Sequence, residues 1–491
     1  MAIIPTREAD DDHHYSRIFP PWPRQTWEQD AGAAYFTAIT ELVGCMEDKG
    51  EKVCEHQPRH SPEIPINAGY TYFGQFLDHE LTKDTSNVAE AWNAEPHSIE
   101  NMRSSRLDLD LLYGSEVGAA NDATLFEADG TRLKIGPPVD STIGTPGPAR
   151  RSFDIRVENG ELKVADERTR DNLILREMTA VFARLHNRAV EQWRGSVDPR
   201  QLFAKARLQT MRQFQRIVWE DYLPQVLDWN LYASVFGPGA PRKIEWRRFT
   251  VPAEFSAAAM RFGHSMVLDQ YFLNAEKDVP LNTVLGQARK KEQLTAEWEI
   301  DWGAFYQNAS GSTTISARPI NTRMVPELHH LDLEALLLYN DGAPFIQRDK
   351  AAAPKRAEIN LLIVSLMRGA GLRLATGQMV AEGFGFRPLT EELCRDCAGA
   401  LTPQGEVLRR HNLVSQTPLL FYILKEAEIA NGGNKLGPTG SQLIAETVFA
   451  ALAADQDSYL YHRDPPLWDF GAGDLEPIDS LSDLFSRAPE L

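Results

Sequence analysis

The chain has 491 residues, with 69 acidic against 51 basic side chains and a formal net charge of −18. That length can bury a large core, and the charge, with no basic run to offset it, excludes a nucleic-acid groove or an anionic membrane surface as the main partner. The longest apolar stretches, such as Leu361–Met367, stop far short of the roughly 18 residues that span a bilayer, so no membrane span is expected.

Residues 1–63 are rich in Pro, Gly, Ser, Asp and Asn and read as an N-terminal arm packed on the core. The first residues lack a charged segment followed by an apolar one, and Asp10, Asp11 and Asp12 form an acidic run. This predicts a protein that is cytoplasmic, or exported without a conventional signal peptide. The stretch Tyr70-Thr-Tyr-Phe-Gly-Gln-Phe-Leu-Asp-His-Glu-Leu81 predicts a helix. Gln75, Asp78 and His79 then share one face, at spacings of three and four residues. Glu80 lies about 100° further round, so its carboxylate serves a different place.

Residues 84–150 read as loops wrapped on the core. Within them Ser104-Ser-Arg-Leu-Asp-Leu-Asp110 sets oxygen ligands at Ser104, the Arg106 carbonyl, Asp108 and Asp110 on alternate positions of an extended chain. Such a set suits a hard cation such as Ca²⁺, although taken alone the stretch reads more readily as a solvated acidic strand. It is not an EF-hand, because Leu109 stands where that loop needs glycine. Asn159-Gly160 predicts a hairpin joining Phe153–Glu158 to Glu161–Asp166.

Arg168 and Asp171 are neighbours at the start of a long core helix that runs to Trp193, its apolar stripe formed by Leu173, Ile174, Met178, Val181, Phe182, Leu185, Ala189 and Val190. A second helix is expected over Leu202–Leu223, followed by a loop at 232–246. His264 lies among the small residues of Ala257-Ala-Ala-Met-Arg-Phe-Gly-His264, where something large and flat could approach. Taken alone, a histidine on an apolar helix is more often a packed core residue than a ligand. Further helices are expected over Glu358–Leu372, Pro418–Ala430 and Gly440–Ala454. Cys394 and Cys397 have the spacing of a redox or half-zinc motif, but no second pair accompanies them, so the four cysteines read as reduced and without function. The acidic tail 464–491 reads as a surface strap with a frayed end. Together these elements predict a mainly α fold, one large helical domain with long irregular loops and little β.

A haem peroxidase needs one imidazole on the iron, a second to move the peroxide proton, and a cation beside the breaking O–O bond. The chain resembles the animal-type haem peroxidases of the peroxidase-cyclooxygenase superfamily, and in particular their shorter bacterial members. The resemblance runs from about Ile64 to Tyr461, within a domain taken as residues 64–463. It is carried by Gly74-Gln-Phe-Leu-Asp-His-Glu80, Tyr113-Gly-Ser115, Arg168 with Leu185-His-Asn-Arg188, Asp221-Tyr-Leu-Pro224 and Arg261-Phe-Gly-His264. The bacterial character lies in Leu372-Arg-Leu-Ala-Thr-Gly-Gln378 and Leu436-Gly-Pro-Thr-Gly440.

The resemblance implies haem b, with His264 as axial iron ligand, His79 as distal acid/base, Gln75 holding a distal water or halide, and Arg168 polarising the peroxide. It makes Asp78 and Asp171 the residues that can form ester links to haem, although Asp171 stands where mammalian members carry Glu. Asn172 replaces the methionine that some members link to haem. Ser104, the Arg106 carbonyl, Asp108 and Asp110 match the family's calcium loop, with Glu80 replacing the usual Asp. Ser365, in Ser365-Leu-Met-Arg368, stands for the asparagine that usually holds the proximal imidazole. The implied reaction uses H₂O₂ to oxidise phenolic or aromatic donors, or a halide, through an oxo-iron(IV) intermediate, as in a response to oxidative stress. Two alternatives stay open: a haem-dependent fatty-acid dioxygenase of the cyclooxygenase branch, which carries a radical tyrosine where this chain has Arg261, and a haem-binding scaffold with a decayed site. Oligomeric state is not legible.

Overall fold

The computed structural model describes residues 13–22, 29–50, 65–84, 86, 92, 94–114, 123–139, 153–236, 244, 249–306, 314–332, 358–462 and 478–488. Ser115 and the tail segment 463–477 lie outside the described residues. In chain order the helices are α1 (Gln29–Gly44), α2 (Ala68–Leu81), α3 (Asp110–Tyr113), α4 (Leu173–Trp193), α5 (Leu202–Ile217), α6 (Leu223–Val226), α7 (Trp229–Phe236), α8 (Ala253–Ala257) and α9 (Leu281–Ala288). They continue as α10 (Trp302–Phe305), α11 (Pro326–His329), α12 (Leu361–Gly371), α13 (Gly377–Phe384), α14 (Pro403–Arg410), α15 (Leu419–Asn431), α16 (Pro438–Ala453) and α17 (Leu481–Ser486). A mainly α architecture is therefore observed, and no helix among the described residues is long and apolar enough to cross a membrane.

Local chemistry explains where the helices begin. Asn172 caps α4 by accepting the Leu175 N–H at 2.8 Å, Asn360 caps α12 through the Leu362 and Ile363 N–H groups, and Thr402 caps α14, where Pro403 opens the helix. Each satisfies backbone donors that the first turn leaves unpaired. The expected helix over Leu202–Leu223 is interrupted: Val218–Tyr222 winds as a π-turn between α5 and α6. Such a widened turn re-aims its side chains, and here it brings Tyr222 to the central cavity.

Further expectations need correction, and residues 232–236 of the expected loop belong to α7. The N-terminal arm holds α1, which packs on α12 and α14; Tyr35, Ala38, Ile39, Leu42 and Val43 make its buried stripe. The strap ends in a helix, with Leu481, Leu484 and Phe485 of α17 buried. The cysteines are not all reduced: Cys397 is disulfide-bonded, while Cys45 and Cys394 are free.

Among the described residues the β content is three two-stranded sheets. The expected hairpin forms as β1 (Val157–Glu158) and β2 (Glu161–Leu162), with Asn159 and Gly160 at φ of 55° and 72°, the left-handed geometry of a tight hairpin turn. A hairpin not foreseen, β3 (Gln270–Asn274) with β4 (Lys277–Pro280), follows the His264 segment. The third sheet pairs β5 (Leu331–Asp332) with β6 (Glu358–Ile359). A large core runs through the helices beside a small cluster of Ala189, Val190, Leu202 and Ala206, and α2 crosses the large one, buried at every position except Gln75.

Candidate active site

Phe73, Phe76 and Leu77 anchor α2 in the core, each 0 % exposed. Gly74 allows the π-turn to come close, since a Cβ there would sit 2.5 Å from the Tyr222 hydroxyl. Gly74→Ala is accordingly expected to lower stability by about 1–3 kcal/mol through overpacking, measurable as a shifted urea midpoint.

The opposite face of α2 borders a cavity of about 280 Å³. The structure brings Gln75, Asp78, His79, Arg168, Asp171, His264 and Ser365 to this one cavity. Gln75, Asp78 and His79 come from α2, Arg168 and Asp171 from the short 3₁₀ turn Glu167–Arg170 and its end, His264 from the 3₁₀ segment Ala259–Met266, and Ser365 from α12.

On the α2 side the polar groups interlock. Asn172 Nδ2 donates to Gln75 Oε1 at 2.8 Å, Gln75 Nε2 donates to Asp171 Oδ2 at 3.5 Å, and His79 Nε2 lies 3.8 Å from the same oxygen. Burial and then the Arg168 charge push the His79 imidazolium well below its usual range, so the ring is neutral near pH 7 and able to accept a proton.

Arg168 does more than face the cavity. Its Nη1 donates to the Thr82 carbonyl at 2.8 Å and its Nη2 to the His79 carbonyl at 3.0 Å, holding the last turn of α2. Asp166 fixes the guanidinium in turn, accepting from Nη2 at 2.6 Å, and also pairs with Arg103. Arg103 donates from Nε to the His79 carbonyl at 3.1 Å. Burial alone would raise the Asp166 carboxyl, but the two guanidiniums override it and hold it well below the carboxylate range.

Asp171 behaves differently, because burial pushes it up to about 7 despite Arg168. It is thus protonated below about pH 7 and becomes a carboxylate beside His79 above it. A carboxylate there makes His79 a better base, so peroxide reduction is expected to accelerate through that pH, and Asp171→Asn to remove the inflection. A pH–rate profile of both proteins checks this.

On the other side His264 is also neutral, lowered to about 3 by burial and then Arg261. Its Nδ1 is buried without a hydrogen-bond partner among the described residues. Ser365 lines the same cavity with its hydroxyl donating to the Leu361 carbonyl at 2.8 Å, and it makes no hydrogen bond to His264 Nδ1. Arg261 bridges the two walls by pairing with Asp78 at 3.2 Å. Asp166, Arg103 and the Arg261–Asp78 pair were not foreseen as site elements, although Asp166 stands only two residues before Arg168 in the sequence.

Two neutral imidazoles from separate elements, opening on one cavity with guanidinium groups of Arg168, Arg261 and Arg368 along it, fit a flat prosthetic group with anionic edges. The calcium set forms a separate cluster. Glu80 accepts backbone N–H groups from Leu109, Asp110 and Leu111, which makes it a cap on α3 rather than a free ligand. Asp110 accepts the Ser104 N–H at 2.9 Å, and Asp108 accepts the Ser104 hydroxyl at 3.0 Å. Among the described residues no three His, Cys, Asp or Glu side chains are arranged to hold a metal ion. Burial and the neighbouring Asp108 raise Asp110 to about 7, and burial, Asp108 and Asp110 raise Glu80 well above its usual range.

The family profile described as animal haem peroxidase matches residues 35–350. A peroxidase-like protein of Margaritifera margaritifera is 24 % identical over 293 residues, covering 47 % of this chain and 34 % of that protein. The chain spans about a third of the length of the curated relatives it matches. Among solved structures, peroxidase A of Dictyostelium discoideum superposes with a TM-score of 0.63 at 14 % identity, covering 97 % of this chain and 93 % of that one. A fatty acid alpha-dioxygenase of Arabidopsis thaliana gives 0.62 at 13 % identity, covering 97 % of this chain and 77 % of that one. At such identities the structural likeness speaks to the fold.

Proposed function

Because the chain belongs to the animal haem peroxidase family, we propose that it is a haem peroxidase that uses H₂O₂ to oxidise phenolic or aromatic donors, or a halide. The observation that carries this reading is the convergence of His79 and His264, both neutral, on one cavity. Haem, when bound, would supply the electron-transfer chemistry. His264 would hold the iron as a neutral imidazole. His79 would accept a proton from peroxide and return it to the departing oxygen, while Gln75 orients a water or halide beside it. Arg168 stays charged and, through the His79 and Thr82 carbonyls, keeps the imidazole in place. Asp78 is committed to Arg261 and Asp171 lies beside His79, so both act in this proposal as free carboxyls and not through ester links to haem.

The dioxygenase reading is weaker: Arg261, where that branch carries a tyrosine, already serves as an ion-pair partner of Asp78. Absorption spectra of the haem-loaded protein test the peroxidase reading. A Soret band that shifts with H₂O₂ and returns with a phenol or halide supports it; oxygen uptake with linoleate and a band indifferent to peroxide would favour the dioxygenase. His264→Ala should lose the iron-ligated spectrum.

Calcium at Ser104, Arg106, Asp108 and Asp110 is part of the proposal, supported by an all-oxygen donor set and by carboxylates that repel one another until a cation arrives. Chelation is then expected to lower the melting temperature at pH 8, with calcium restoring it; an unchanged melting curve would remove the ion. The Cys397 disulfide favours an oxidising compartment over the cytoplasm.

A further inference from the structure

Gly69 precedes Tyr70 on α2, and any side chain there would collide with the Tyr306 ring. Its absence lets Tyr306 lie against the helix, with its hydroxyl donating to the Gly69 carbonyl at 2.9 Å. Three aromatic rings therefore follow one another outward from the cavity. Tyr70 lines the cavity itself, its ring centroid lies 5.4 Å from that of Tyr306, and Tyr306 lies 6.1 Å from Trp302. Phe485 of α17 packs against both outer rings, at 5.0 Å and 4.0 Å. Tyr306 is 1 % exposed; Trp302 is also a buried core residue, but it keeps 9 % of its surface open and ends the row.

The inner end carries a proton acceptor. Tyr70 donates its phenolic hydrogen to Asp221 Oδ1 at 2.7 Å, and the other Asp221 oxygen accepts the Leu481 N–H at 2.7 Å. A phenol loses an electron far more readily when its proton can leave at the same time, and burial raises the Asp221 carboxyl toward accepting one. Among the described residues Tyr306 donates to a carbonyl alone, which cannot take a proton, so its ring can pass an electron but is a poor resting place for a radical.

Resting on the peroxidase reading, we infer that Tyr70, Asp221 and Trp302 form a second oxidation site, at which one-electron donors too large for the cavity are oxidised at the Trp302 surface. Tyr70 gives one electron to the peroxide-oxidised haem and its proton to Asp221. Trp302 then returns an electron through Tyr306 while Asp221 returns the proton, restoring the phenol. The Trp302 radical, having released its indole proton to solvent, takes an electron from the external donor and a proton from water. The chain's net charge of −18 suits a basic protein donor.

The test uses the haem-loaded full chain, H₂O₂ and ferrocytochrome c, a basic protein that cannot enter the cavity. Freeze-quench EPR and peptide mass mapping should show an organic radical and, without donor, oxygen added to Trp302. Trp302→Phe should leave the Soret response unchanged but slow ferrocytochrome c oxidation by about tenfold or more. Tyr70→Phe should abolish the added oxygen on Trp302. If the Soret band responds while Trp302→Phe oxidises ferrocytochrome c at the wild-type rate, or no oxidation maps to Trp302, the second site is overturned and the peroxidase stands. A wild-type band indifferent to peroxide overturns both.

Discussion

Replacing His79 by alanine is expected to slow the reaction with H₂O₂ by roughly 10² to 10⁴, with haem uptake retained. The imidazole is neutral near pH 7 because burial and Arg168 both oppose its charge, so it begins the cycle as a base. Asp171 at 3.8 Å then steadies the proton once it has moved. His264, on a different element, is untouched by the substitution, which separates binding from chemistry. Stopped-flow absorbance at the Soret band measures the effect, and a wild-type rate in the variant would remove His79 from the reaction.

Asp166→Ala is expected to lower stability by about 3–5 kcal/mol, the usual cost of leaving a buried charge without its partner. Here two partners are stranded, since Arg103 and Arg168 both pair with Asp166, whose side chain is 1 % exposed. The pH dependence follows from the depressed Asp166 carboxyl. A folded-state value below the unfolded one stabilises above the ordinary carboxylate range, and that contribution is lost as pH falls through the folded value. The gap between wild type and Asp166→Asn should therefore be wide at pH 7 and narrow in acid. Urea unfolding followed by circular dichroism at both pH values checks this; equal stability at pH 7 would mean that the arginines find other partners.

What was legible in the sequence was what a local period can carry. Gln75 and His79 stand four residues apart, and one helix of that pitch puts them side by side whatever surrounds it. The stripe of α4 and the Asn159-Gly160 turn were readable for the same reason. The stripe of α1 was equally local, but the loop-forming composition around it drew the reading toward an irregular arm. Arg103 and Asp166, by contrast, meet across 63 positions, and nothing in either neighbourhood announces the other. Helical geometry gave the direction of Glu80 but not its destination, which proved to be the amides of α3. Ser365 likewise reaches the right cavity, where its hydroxyl donates to the Leu361 carbonyl of its own helix.

The grip of Arg168 and Arg103 on the His79 carbonyl has a thermodynamic consequence. Both arginines act from the protein side, through main chain and Asp166, and neither hydrogen bond requires a ligand. The conformational entropy of ordering this imidazole is therefore lost when the chain folds, not when the cavity is filled. Association with a rigid planar molecule then has little left to freeze at this wall, so more of the contact energy is retained as affinity.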